Sequence, residues 1–357
     1  MQATIVTFPG DGVGPEVMGQ ALRVLQAVAE QNGHAFAFDE RKIGGIAIDA
    51  YGTPLRDEEI EAARDADAIL LGAVGGPKWD NPNAAVRPEQ GLLRIRKALR
   101  LFANLRPVVL QESLIGASPL RPERVKGTDL VVVRELTGGL YFGKPSKQWR
   151  ERRGQVAVDT LVYREHEIER VVRLAFQLAQ GRSKKVTSVD KANVLSSSRL
   201  WRSVVTEVAA EYPDVQLEHM LIDAMTMRLI QTPSSFDVIV TENMFGDIIT
   251  DEASVLGGSI GLLPSASLGA EREGQRRKGL YEPIHGSAPD IAGKGTANPA
   301  GMILSAAMMV RLSLGLEQEA VSVERAVASA IDDGVRTADL GGDASTEMFG
   351  DAVVQRL

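Results

Sequence analysis

The chain contains no cysteine, which excludes disulfides, a thiolate nucleophile and cysteine-ligated zinc. Histidine is scarce. His34, His166, His219 and His285 are scattered, with no pair at metal-ligand spacing on a helix. Any resident metal is therefore expected to be held by oxygen, which points to Mg2+ or Mn2+. Long apolar runs are also missing. The longest uncharged stretch, 253–270, is interrupted by Gly257, Gly258, Gly261 and Pro264 and carries four serines, so it does not read as a membrane span. The first ten residues lack a basic segment, and Pro9 ends their apolar run, so no secretory signal is expected and a cytoplasmic protein is. There is no excess of basic charge. A net charge of −7 argues against a nucleic-acid partner held through its phosphates. It leaves room for a small anionic substrate gripped by a local group of arginines.

What is present is an ordinary globular composition, 44% hydrophobic and 24% charged, over 357 residues. That length predicts a large core and two domains. Short β-branched runs at 3–8, 35–39, 68–74, 103–110, 129–135, 185–190, 215–221 and 236–240 read as strands. They alternate with amphipathic segments at 15–32, 57–65, 89–101, 164–180, 198–211, 223–231 and 246–256, and three more helices follow at 299–314, 319–332 and 344–356. This alternation predicts an α/β fold with a largely parallel sheet. The Gly/Pro-rich stretches 72–88 and 257–300 are expected to be active-site loops. No internal repeat or low-complexity linker interrupts the pattern.

Residues 10–16, Gly-Asp-Gly-Val-Gly-Pro-Glu, join the first strand to the first helix. A dinucleotide fingerprint would sit there, but the glycines are Gly10, Gly12 and Gly14, and Pro15 removes an N–H from the first helical turn. A tight strand-to-helix turn is the better reading. Within 242–251, Glu-Asn-Met-Phe-Gly-Asp-Ile-Ile-Thr-Asp, Asp247 and Asp251 stand four apart and share one helix face. Two adjacent anions there either hold a divalent cation or are simply solvated. Arg96, Arg106 and Arg134 lie on a helix or at strands, where planar guanidinium forks suit a dicarboxylate. A solvated basic face explains Arg94 and Arg100 equally well. Lys191, just past an apolar strand, reads either as a desolvated base or as a lysine reaching out to solvent.

Five separated blocks carry a resemblance over residues 5–349. They are 10–16, Leu-Leu-Gly-Ala-Val-Gly-Gly-Pro-Lys-Trp (70–79), Arg-Glu-Leu-Thr-Gly-Gly-Leu-Tyr-Phe-Gly (134–143), Val-Asp-Lys-Ala-Asn-Val-Leu (189–195) and His-Gly-Ser-Ala-Pro-Asp-Ile-Ala-Gly-Lys-Gly (285–295). Together they resemble the isocitrate/isopropylmalate dehydrogenase family of β-decarboxylating dehydrogenases, on its isopropylmalate branch. The arm region 144–163 departs from the family pattern, with Lys144-Pro145-Ser146 where a more glycine-rich turn is usual.

The resemblance implies an α/β, isopropylmalate dehydrogenase-like, non-Rossmann two-domain fold with a large mixed, mostly parallel sheet. One domain would be 1–101 with 258–357, binding the cofactor, and the other 102–257, carrying the arm and a dimer interface. It implies NAD-dependent, Mg2+- or Mn2+-dependent oxidative decarboxylation of (2R,3S)-3-isopropylmalate to 4-methyl-2-oxopentanoate and CO2, in leucine biosynthesis. It assigns the carboxylates to Arg96, Arg106 and Arg134, the metal to Asp247, Asp251 and a partner's Asp223, and substrate contact also to Asp223. Lys191, again of the partner, would be the base and Tyr141 the acid, so that a homodimer shares its sites. The cofactor would lie on His285, Gly286, Ser287, Ala288, Pro289, Asp290, Ile291 and Asn298. Asp290 can accept from ribose hydroxyls and would repel a 2′-phosphate, favouring NAD over NADP. Near Glu89, Leu92 and Leu93 offer an apolar wall whose contact with an isopropyl group is worth roughly 1.5–3 kcal/mol. Two rival expectations remain: a sister enzyme acting on homoisocitrate, tartrate or D-malate, and a non-catalytic solute-binding protein.

Overall fold

A computed structural model describes every residue except 82–83 and 272–275. In chain order the strands are β1 (Gln2–Gly10), β2 (Ala35–Glu40), β3 (Ala68–Ala73), β4 (Ala103–Val109), β5 (Asp129–Glu135) and β6 (Lys147–Glu151). They continue as β7 (Gly154–Val158), β8 (Lys185–Asp190), β9 (Gln216–Leu221), β10 (Val238–Thr241), β11 (Pro264–Leu268) and β12 (Gly279–Pro283). The helices are α1 (Gly14–Asn32), α2 (Gly45–Tyr51), α3 (Asp57–Asp65), α4 (Glu89–Ala98), α5 (Pro122–Val125) and α6 (Glu165–Gln180). They continue as α7 (Ser196–Ala209), α8 (Ile222–Gln231), α9 (Asn243–Ser254), α10 (Ala300–Leu312), α11 (Glu317–Asp332) and α12 (Thr346–Val354). The chain divides into two compact units: 1–101 with 111–119 and 257–357, and 102–110 with 120–256.

In the first unit the strand order is β2-β1-β3-β12-β11. The first four are parallel, and β11 runs antiparallel to β12. Strand β3 is buried along its whole length, as a parallel strand covered on both faces must be. Val6, Phe8, Ile69, Leu71 and Leu280 meet Ile60 of α3 and Ile95 of α4 in one core, with Leu92 packed at its margin. Helix α10, Ala-Gly-Met-Ile-Leu-Ser-Ala-Ala-Met-Met-Val-Arg-Leu, is apolar nearly all round because β11, β12, α1 and α11 surround it.

In the second unit the order is β4-β5-β10-β8-β9. Strand β4 is antiparallel to β5, and the other four strands are parallel. The Leu130–Val133 and Val238–Val240 runs are fully covered. Helix α6 packs on β5, β8 and β10, and α9 packs on β4, β5 and β10. Strands β6 and β7 form a separate antiparallel ribbon.

Several segments differ from the sequence reading, which also lacks the short helices α2 and α5. The stretch 257–300, expected as loop, contains β11 and β12, although its residues 272–275 lie outside the described residues, as do 82–83 of the expected 72–88 loop. Pro264 and Gly279 open these two strands and disguise them as turn sequence. The 144–163 arm holds the β6–β7 ribbon, whose β6 is exposed at every position and so lacks the apolar alternation that would announce it. Helix α9 starts three residues before the predicted 246, because Glu242 caps it by accepting from the Phe245 N–H at 3.0 Å.

The glycine-rich segment after β1 is a tight turn rather than a pyrophosphate cradle. Its Val13 N–H already donates to the Ser287 carbonyl at 2.9 Å. Gly12 has φ +60°, and a Cβ there would stand 1.9 Å from the Ser287 oxygen. Asp11 is buried and accepts from the N–H groups of Gly45, Ile46 and Gly75 at 2.7–2.8 Å. Burial still pushes its carboxyl above the usual range, against the pull of those three donors. Glu16 accepts from the Gly293 N–H and, at 2.9 Å, from the Gly295 N–H. The segment therefore braces the 285–295 loop. Gly12→Ala is expected to lose roughly 1–3 kcal/mol of stability through forced φ and collision, measured as a lowered urea midpoint.

Candidate active site

The second unit holds Arg106, Arg134, Tyr141, Lys191, Asp223, Asp247 and Asp251, most of them near the carboxyl ends of its parallel strands. Arg134 is the sixth residue of β5, opposite Asn104 of β4 and Thr241 of β10. Its side chain is only 7% exposed. The Nε and Nη2 atoms donate to Asn243 Oδ1 at 3.1 and 2.9 Å, while Nη1 donates to Asp247 Oδ1. The Tyr141 hydroxyl donates to the other oxygen of Asp247 at 2.8 Å. Partial burial and this bond to a carboxylate raise the phenol to about 12, so it holds its proton at neutral pH.

Arg106, two residues after Asn104 and so on the same face of β4, is also mostly buried. It donates to Asn104 Oδ1 at 2.9 Å, Thr250 Oγ1 at 2.8 Å and Asp251 Oδ1 at 3.4 Å. Thus Asp247 and Asp251, one turn apart on α9, each face an arginine. On a different pair of strand ends, Lys191 follows β8 and Asp223 opens α8 after β9, and Lys191 Nζ donates to Asp223 Oδ1 at 2.5 Å. This bond lowers the Asp223 carboxyl. Among the described residues no three His, Cys, Asp or Glu side chains converge as a metal-holding group, so Asp223 is not brought to Asp247 and Asp251 within one chain.

The first unit holds the remaining candidates. Arg96 on α4 pairs with Glu282 of β12 at 2.5 Å, both side chains largely buried. The buried Arg96 Nε has no partner among the described residues. Glu89 opens α4 beside Gly75, where an added Cβ would stand 3.3 Å from its Oε1. Leu92 is half-buried against the core and Leu93 is exposed. After β12 the chain runs through His285, Gly286, Ser287, Ala288, Pro289, Asp290 and Ile291 as a loop, with Ala288 at φ +38°. Left-handed backbone at a residue with a Cβ is strain of the kind found at ligand clamps. Burial lowers the His285 imidazole, and its Nε2 has no partner among the described residues. Asp290 is exposed. Asn298 is buried, donating to Asp339 at 3.0 Å and accepting from the Ala300 N–H at 3.0 Å.

Sequence reasoning missed the residues that hold the arginines: Asn104, Asn243, Thr250 and Glu282. Asn243 and Thr250 were in view inside the 242–251 motif, and the two-residue spacing of Asn104 and Arg106 was a usable signal. Glu282 had none, since it meets Arg96 across 186 residues of sequence.

Guanidinium forks held against two carboxylates, with a protonated phenol beside them, form an oxygen-rich group of the kind that binds a small dicarboxylate. The model of the isocitrate/isopropylmalate dehydrogenase family matches residues 4–353, and the chain belongs to that family. Within it, the chain is 60% identical over its full length to the 3-isopropylmalate dehydrogenase of Anaeromyxobacter dehalogenans, which it covers completely. It is 62% identical to that of Geobacillus kaustophilus, over 94% of this chain and 89% of the other. Among solved structures, isocitrate dehydrogenase from Methylococcus capsulatus superposes with a TM-score of 0.86 at 35% identity, covering 99% of both chains. A β-decarboxylating dehydrogenase from Thermococcus kodakarensis gives 0.79 at 36% identity, covering 99% of this chain and 96% of the other.

The Arg96–Glu282 pair is open to a direct test. Glu282→Ala leaves a largely buried guanidinium without its counter-charge. Stability is expected to fall toward the low end of roughly 3–5 kcal/mol, read from urea unfolding.

Proposed function

We propose that the protein is an NAD-dependent dehydrogenase that converts (2R,3S)-3-isopropylmalate to 4-methyl-2-oxopentanoate and CO2, the oxidative step that builds the leucine skeleton. The observation that carries this reading is the Arg134–Asp247–Tyr141 arrangement, with Arg106 and Asp251 one turn along α9. Family relatives of that name, near 60% identity over the whole chain, support it.

Arg106 and Arg134 present N–H donors to the malate carboxylates, and in the first unit Arg96 keeps a buried Nε with no partner among the described residues. The hard oxygens of Asp247 and Asp251, each of which faces an arginine, suit Mg2+ or Mn2+. The loop residues 285–291 and Asn298 suit NAD, with a buried His285 nitrogen free to bond and Asp290 exposed for ribose hydroxyls. When bound, NAD would supply a hydride acceptor and the divalent ion Lewis acidity. The residues move the protons. Lys191 takes the proton of the C2 hydroxyl, the carbon–carbon bond to the departing CO2 then breaks, and Tyr141 protonates the carbon left behind.

A homodimer with shared sites fits the same reading. Met227 and Ile230 on α8 and Ile248 on α9 are exposed apolar side chains on neighbouring helices of the second unit. A second copy covering them would bring its Lys191 and Asp223 to this chain's Asp247 and Asp251. No helix among the described residues is long and apolar enough to cross a membrane.

The test is a panel of 3-isopropylmalate, isocitrate, homoisocitrate, tartrate and D-malate with NAD or NADP and Mn2+, followed as reduced nicotinamide. 3-Isopropylmalate with NAD should give the highest kcat/KM. A higher value for another acid would reassign the substrate, and tight binding of these acids with no turnover would favour a solute-binding protein. Exhaustive chelation should abolish turnover and Mn2+ restore it, while Asp247→Asn should stay inactive. Leu92→Ala is expected to lower kcat/KM for 3-isopropylmalate by roughly 10–200-fold and for D-malate far less. Because Leu92 also touches the core, equal losses would mean it supports the fold instead.

A further inference from the structure

We infer that the first turn of α9 is a cradle for Arg134, in which Asn243 and Gly246 are positioning residues that aim its guanidinium; this rests on the reading of Arg134 as a substrate-carboxylate ligand. Three observations meet here. Asn243 Oδ1 accepts from both Nε and Nη2, occupying one whole edge of the fork and turning Nη1 toward Asp247. Gly246 lies three residues on, on the same helix face, and a Cβ there would stand 2.6 Å from Arg134 Cγ and 2.8 Å from its Cβ. A buried glycine inside a helix is normally unfavourable relative to alanine. Here it leaves room for the arginine stem.

The cradle is itself anchored. The Asn243 amide nitrogen donates to Gly138 O at 3.2 Å, and its backbone N–H donates to the Tyr163 hydroxyl at 2.9 Å. Tyr163 in turn donates to Glu242 Oε2 at 3.2 Å, and Glu242 Oε1 caps the helix through the Phe245 N–H. Asn243, Tyr163 and Glu242 are all buried, so Asn243 is held in this partner set with little access to water. An arginine has several rotatable bonds, and here a carboxylate, Asp247, stands at one of its nitrogens. Without the Asn243 acceptor, it would lie along Asp247 with both nitrogens and present a different edge to a ligand. Asn243 touches no reacting atom in this scheme and acts through Arg134.

The test is a double-mutant cycle with 3-isopropylmalate, NAD and Mn2+. Asn243→Ala should raise KM for 3-isopropylmalate by roughly ten- to a hundredfold, the effect of losing a charge-assisted two-point bond. KM for NAD should change little. In an Arg134→Lys background, which lacks the fork, Asn243→Ala should cost no more than about threefold further, because both changes remove one interaction. Full additivity, or equal losses for both substrates, would overturn the cradle. Should Asn243→Ala fail to fold, Tyr163→Phe keeps the shape while freeing the Asn243 N–H, and should give the same selective rise in KM at smaller size; an unchanged KM there would overturn the proposal. A second readout is independent of turnover: the Arg134 Nε–H resonance, assigned by its loss in Arg134→Lys, should be protected from exchange in the wild type and unprotected in Tyr163→Phe or Asn243→Ala. If the unmodified enzyme fails to oxidise 3-isopropylmalate, the functional reading falls while this resonance still decides the cradle, protection that persists in the variants overturning it.

Discussion

The bidentate hold of Asn243 on Arg134, with Asp247 on the remaining nitrogen, is the interaction around which the second unit is arranged. A guanidinium only 7% exposed at the end of an apolar strand must have its charge and its N–H groups satisfied. Helix α9 does both, its first turn supplying a neutral amide and its second a carboxylate. The helix can lie that close to β5 because Gly246 has no side chain to collide with the arginine stem. Its start is in turn fixed by Glu242, which is buried and held above the usual carboxylate range by desolvation, against the Phe245 and Met244 N–H groups. The same arrangement exposes Asp251 and leaves one oxygen of Asp247 to Tyr141.

The placement of the other groups follows from strand direction. Strands β5, β8, β9 and β10 run parallel, so their carboxyl ends lie on one side of that sheet. Arg134 ends β5, Lys191 follows β8, Asp223 follows β9, and α9 follows β10. Ligand sites in open α/β sheets collect at such ends, where loops and helix starts are free of the hydrogen-bond ladder. The antiparallel β4 adds Asn104 and Arg106 from the opposite direction, alternating residues on one face. An acidic chain can therefore offer a small dicarboxylate a local group of cations without any general excess of basic residues.

The first unit solves a different problem, holding a loop with little secondary structure of its own. The 285–295 segment is tied back by the Val13 N–H and by both oxygens of Glu16, and Asp11 ties β1 to the loops around Gly45 and Gly75. Each glycine-rich residue in 10–16 thus serves close approach of backbone to backbone. A charged loop end such as Asp290 can stay in solvent because the inner part of the loop is braced.

The sequence alone determined the α/β class, most strand and helix positions and the family, because apolar periodicity and short motifs are local properties. It also singled out candidate side chains, Arg106, Arg134, Tyr141, Lys191, Asp223, Asp247 and Asp251, since residue type limits what a group can donate, accept or hold. It did not reveal β11 and β12, whose opening proline and glycine read as turn, or the β6–β7 ribbon, exposed and so without an apolar face. Nor did it reveal which groups support the arginines. Asn243 differs from any helix-start asparagine, and Gly246 from any weak point in a helix, only once Arg134 from β5 lies against them, more than a hundred residues away in the chain. Only the tertiary structure could decide this, because the partners of a buried charge are chosen by the packing of distant strands and not by their neighbours in sequence.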